Sequence, residues 1–146
     1  MRSPSQKLAE SVAALRRLQK EGGRVFRSRQ FTRLDRERLL RGGFLQEVTA
    51  GWLISSAPGV RAGDTTSWFA SFWEFCARYC ENRFGAAWCL SPEQSLLLHG
   101  EHSVVPKQVI IHTPRGSKHE TLHASRSWLA TNVVSTFSGS SLVATL

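Results

Sequence analysis

A glycine pair, Gly42-Gly43, most constrains how this chain can fold, because it separates a run with helical spacing from two short strand-like runs. Before it, Leu34 and Leu39-Leu40 predict a helix over Leu34 to Arg41, with these leucines turned to a core and Arg33, Arg36, Arg38 and Arg41 left to solvent. The glycines stop that helix as a C-terminal glycine does. After it, Phe44 to Val48 and Trp52 to Ser55 read as strands joined by Thr49-Ala50-Gly51, a length typical of a hairpin.

Two helices are expected upstream. Ser3 and Ser5 are candidate N-caps of a helix running to about Lys20, in which Leu8, Val12, Leu15 and Leu18 recur every three to four residues. Glu21, Gly22 and Gly23 end it. Ser28 is placed to cap a very short helix that carries Phe31 inward. Three helices followed by a two-stranded ribbon predict a winged helix-turn-helix over residues 1–56. Such a module presents one helix to the major groove and lays its ribbon on the flanking backbone.

Ala57 to Asp64, with Pro58, Gly59 and Gly63, reads as a linker. Beyond it the character changes. Thr65 or Thr66 would cap a helix to about Phe84 that is crowded with Trp68, Phe69, Phe72, Trp73, Phe75 and Tyr79, an apolar face wide enough to be buried on more than one side. Trp88 to Leu90 reads as a strand. Ser91, Pro92 and Gln94 open another helix with a capping-box pattern, ending near Leu98 to Gly100. Val104 to Pro106 and Gln108 to Ile111 read as strands, with Leu122 in a third. The expected class is therefore α+β: a winged helix over 1–56, a small α+β domain over 64–124, and a tail, 125–146, with no assigned role.

Charge points to the partner. The chain carries a net charge of +8, and residues 1–46 hold 12 Lys or Arg against four acids, while the remainder holds seven of each. Cations gathered on one module suit a phosphate-bearing partner better than a general need for solubility. The densest group is Arg27, Arg29, Gln30, Arg33, Arg36, Arg38 and Arg41. An Arg fork fits phosphate oxygens or the guanine O6/N7 pair, and Gln pairs with adenine, so double-stranded DNA is the expected partner. Asp35 and Glu37 lie among them and could instead pair with Arg38 or Arg41 at helical spacing. Symmetric sites reward symmetric readers, which leaves a homodimer on a palindrome as an open option.

Other constellations carry less. Cys76 and Cys80 are one helical turn apart, with Cys89 beyond, but zinc wants two closely spaced pairs, so buried thiols and no metal or other cofactor are expected. His119 and His123 near Glu120 and Ser125 lack a packed scaffold for nucleophilic catalysis, and no enzyme activity is expected. Thr113 to Lys118 lacks the Walker pattern and reads as an exposed turn. With no apolar span, no signal-peptide core and an odd number of cysteines, the expected location is the cytoplasm, away from any membrane.

Two stretches resemble known families. Residues 24–56, RVFRSRQFTRLDRERLLRGGFLQEVTAGWLISS, resemble the N-terminal winged helix of AbiEi-like antitoxins and transcriptional regulators. Residues 64–116, with WCLSPEQSLLLHG as their most distinctive run, resemble the region that follows this winged helix in some bacterial Fic proteins. The resemblance implies a bacterial DNA-binding antitoxin or autorepressor of a toxin-antitoxin or Fic operon, with a cognate toxin or Fic-domain protein as second partner. The alternative is a module that binds such a protein and whose basic surface is incidental. The Fic catalytic motif is absent from the sequence, and Thr49-Ala50-Gly51 lacks the basic residue often found in such wings.

Overall fold

The structure, a computed structural model, describes residues 3–59, 66–100, 105–106, 109–113, 134–138 and 141–145. It is an α+β protein that divides into two compact units, residues 1–75 and 76–146. That division falls inside a helix, later in the chain than the linker read from the sequence.

In the first unit, helix α1 (Pro4–Lys20) starts from Ser3, whose hydroxyl accepts from the Gln6 N–H while the Gln6 side chain accepts from the Ser3 N–H at 2.9 Å. This reciprocal pair satisfies two donors that a helix start otherwise leaves open. Strand β1 (Val25–Arg27) follows, then a 3-10 turn (Ser28–Gln30), helix α2 (Arg33–Arg41), and strands β2 (Leu45–Thr49) and β3 (Trp52–Ser55). The strands form an antiparallel sheet of order β1-β3-β2, in which Val25 faces Ile54 and Leu45 faces Ser55. Three residues are too few to show a strand period, which is why β1 does not stand out in the sequence. Its N-terminal edge is held by Glu74, whose carboxylate accepts from the Arg24 and Val25 N–H groups at 2.9 and 3.3 Å.

The core of this unit joins Leu15, Phe26, Phe31, Leu39, Leu45 and Leu53, with Val12, Leu18, Leu40 and Phe44 packed against it. Phe26 and Phe31 meet edge to face at 5.7 Å. Phe31 points inward as expected. Leu34 does not: it is 59% exposed, because it lies five positions before Leu39, about 140° around the helix from it. Helix α3 (Thr66–Phe84) brings Trp68, Phe72 and Phe75 into this unit, where Trp52 packs edge-on to Phe75 at 5.8 Å.

The glycine pair works as a Schellman end. Gly43 takes φ +74°, its N–H reaches the Leu40 carbonyl, and the Phe44 N–H reaches the Leu39 carbonyl at 2.9 Å. The hairpin turn is shorter than expected: Thr49 pairs with Trp52 after a bulge, leaving only Ala50 and Gly51 at the tip, with Gly51 at φ +81°.

In the second unit, which begins within α3, strand β4 (Cys89–Leu90) and helix α4 (Pro92–His99) are followed by β5 (Ile110–His112), β6 (Val134–Ser138) and β7 (Ser141–Thr145). They form a sheet of order β4-β5-β7-β6. Two strands thus arise in the tail, to which the sequence assigns no role. Ser91 caps α4, but the expected capping box is diverted: the Ser91 N–H donates to the Ile110 carbonyl at 2.7 Å and Gln94 Oε1 accepts from the Ile110 N–H at 2.6 Å. The two residues thereby clamp the start of β5. Val105 and Pro106, expected in a strand, are outside any regular element, and His119, Glu120, Leu122, His123 and Ser125 lie outside the described residues. Among the described residues no helix is long and apolar enough to cross a membrane.

Candidate nucleic-acid interface

The arginine cluster is distributed over three neighbouring elements, β1, the 3-10 turn and α2, and α2 carries most of it. Thr32 sets where α2 begins. Its hydroxyl accepts from the Asp35 N–H at 3.1 Å and donates to Asp35 Oδ2 at 2.6 Å. The other carboxylate oxygen, Oδ1, accepts from the Ser11 hydroxyl of α1 at 2.6 Å. Ser11 is fully buried, so this is an inter-helix anchor in the wall of the core. Arg38 completes it, 3.7 Å from Asp35 Oδ1. Hydrogen bonds from Ser11 and then Thr32, with Arg38 nearby, hold the Asp35 carboxyl below its ordinary pKa against the opposing effect of burial.

Asp35 and Leu39 therefore occupy the anchored side of α2, and Arg33, Leu34, Glu37 and Arg41 the exposed side. Arg33 is 85% exposed and lies 3.6 Å from Glu37 one turn on. Of the two carboxylates, Asp35 thus pairs with Arg38 as the spacing allows, whereas Glu37 turns back to Arg33 and not to Arg41. Arg29 and Arg41 are exposed and Arg36 is half-buried, and none of the three has an ion-pair partner among the described residues.

No family model, curated protein or solved structure matches this chain. The chemistry of the surface must therefore be read from its own side chains.

Besides Arg33 and Arg38, two more of the seven sequence candidates are engaged within the fold. Gln30 Oε1 accepts from the Arg27 N–H at 2.6 Å, which occupies the acceptor half of the amide pair that adenine recognition would use. Arg27 stacks its guanidinium 4.5 Å above the Trp52 ring, directly across the β1-β3 pair. Stacking on a ring face leaves the in-plane N–H groups free, so Arg27 is oriented without losing its hydrogen-bonding fork. The hairpin tip is tied back, since the Ser28 N–H donates to the Gly51 carbonyl at 2.9 Å. The short tip carries no cation, and Arg27 at its base is the nearest one in the sheet.

Ser11, Thr32 and Trp52 escaped sequence reasoning. Thr32-x-x-Asp35 does match the Ser/Thr-x-x-Asp/Glu helix-start signature. No comparable signal marks Ser11, whose partner is 24 residues away. Cys76 and Cys80 are buried, Cys89 is exposed, and among the described residues no three His, Cys, Asp or Glu side chains are grouped as metal ligands.

Proposed function

We propose that the chain is a DNA-binding transcriptional regulator in which the first unit acts as a winged helix. The observation that carries this reading is the two-sidedness of α2: one side is fixed to α1 through Asp35 and to the core through Leu39, and the other offers Arg33 and Arg41 outward. The order helix, strand, short turn, helix, hairpin, with β3 central, supports it. In this reading α2 enters the major groove, Arg27 and Arg29 meet flanking phosphates, and the two-residue hairpin tip contributes little. Gln30 shapes the turn. The resemblance of residues 24–56 to AbiEi-like regulators narrows the role to autorepression of a toxin-antitoxin or Fic operon, with no catalytic step of its own.

Fluorescence anisotropy tests the reading, using a labelled duplex from upstream of the protein's own coding sequence beside a scrambled duplex, each at several salt concentrations. Preferential binding with a negative log-log salt slope supports it. Equal weak binding to both duplexes, or none, refutes sequence-specific regulation.

A second reading, a protein-interaction module, draws on Leu96, Leu97 and Leu98 of α4, which are 74%, 54% and 39% exposed. A pull-down against the product of the adjacent gene separates the two, because regulation through DNA alone requires no such capture.

A further inference from the structure

One side chain on the outward face of α2 serves neither the fold nor a phosphate. Leu34 is 59% exposed, the second residue of the helix, and sits among charged neighbours where solubility alone would favour a polar residue. Glu37 and Arg41 follow it at intervals of three and four, so the three side chains form one stripe along the helix. Neither end of the Leu34-Glu37 pair suits a sugar-phosphate backbone: a leucine has no donor to offer it, and a carboxylate is repelled by it. Both suit base edges. In the major groove a carboxylate accepts from the cytosine amino group, and the apolar feature on any base edge there is the C5-methyl of thymine. The first residues of a helix docked in this manner are the ones that reach base edges.

We propose that Leu34 is a specificity-determining residue that selects thymine through contact with its C5-methyl group, with the flanking Arg33 and Arg41 taking phosphates. The inference rests on the DNA-binding reading above. It adds the base that the helix start recognises and the chemical group by which it does so.

The test begins by selecting duplexes that bind the full chain from a randomised pool. Each thymine of the best duplex is then replaced singly by deoxyuridine, which removes only the methyl group. With the unaltered protein, one replacement weakens binding about fourfold, the equivalent of returning one methyl group to water. Leu34→Ala weakens binding to the thymine duplex by a similar factor and is indifferent to that replacement. Because Leu34 lies outside the core, the variant melts at the same temperature as the parent, so the weakening is not one of folding. Indifference of the unaltered protein to every deoxyuridine replacement overturns the assignment, as does a Leu34→Ala variant that keeps the sensitivity. In both cases DNA binding itself survives. A pool from which no duplex is retained removes the DNA-binding reading and this inference together.

Discussion

The Ser11-Asp35 anchor offers a direct measure of how α2 is held, through Ser11→Ala, Asp35→Ala and the double variant. In the folded chain the Ser11 hydroxyl faces two acceptors, Asp35 Oδ1 at 2.6 Å and the Lys7 carbonyl at 3.0 Å. It has one proton, and the shorter, charge-assisted bond takes it. A hydrogen bond to a charged group contributes roughly 1.5–3 kcal/mol. Removing Asp35 does not orphan the buried hydroxyl, because it swings to Lys7, so Asp35→Ala should cost about 2 kcal/mol, near the low end of that range. The Asp35-Arg38 pair adds little, being partly open to solvent. The double-mutant coupling should be about 1–2 kcal/mol, read from urea denaturation at neutral pH. The carboxyl pKa is lowered in the fold, so its contribution is complete above the ordinary carboxylate range and disappears as pH falls through the folded value. Wild-type stability should therefore drop between about pH 5 and pH 3 more steeply than that of Asp35→Asn. A coupling under about 0.5 kcal/mol, or identical pH profiles for the two proteins, would refute the anchor.

Gly43→Ala should destabilise the chain by about 1–2 kcal/mol, since Gly43 sits at φ +74° where a Cβ is strained; an unchanged urea midpoint would contradict the Schellman assignment. Leu53→Ala, at a fully buried position of central strand β3, should cost about 2–5 kcal/mol in the same assay. In a disulfide-exchange titration of native protein Cys89 should react first. Cys76 is pushed up by burial and Cys80 is pushed up to about 12, also by burial, so both should wait for denaturant. Arg33→Ala/Arg36→Ala should weaken binding to scrambled and chosen duplexes alike, and the anisotropy salt slope should fall by about 1 for each phosphate that is no longer neutralised.

Helices α1, α3 and α4 were legible because each combines a start signal with a clear stop or a long apolar run, and α2 because its leucines run into a glycine stop. Ser3 and Ser91 stand immediately before α1 and α4, and Gly22 and Gly43 lie just beyond α1 and α2. Elements whose existence depends on a distant partner were not legible. Strand β1 is three residues held by β3 and by Glu74, and the β6-β7 hairpin has its pairing with β5 across more than twenty intervening residues. Leu34 misled for a different reason: composition marks a leucine as core, but its five-position offset sets it about 140° around the helix from the buried Leu39. The arginines were visible as a group. What they do individually was not, because Trp52 and Asp35 decide that Arg27 is stacked and Arg38 half-buried.

The length of α2 explains why so much of the first unit is devoted to holding it. Nine residues are too few for a helix to persist alone in water, where isolated helices below about 12–15 residues are marginal. Its composition makes this worse, since four arginines within those nine residues repel one another wherever they are not paired. The fold answers at both ends. Thr32 and Ser11 meet Asp35 in the first turn, while Gly43 and Phe44 close the last turn over Leu39. Between them, Glu37 and Asp35 each neutralise one arginine from within the helix. The cationic face is thus stable only as part of the unit that supports it. A partner therefore meets a preformed surface, with little ordering entropy left to lose on binding.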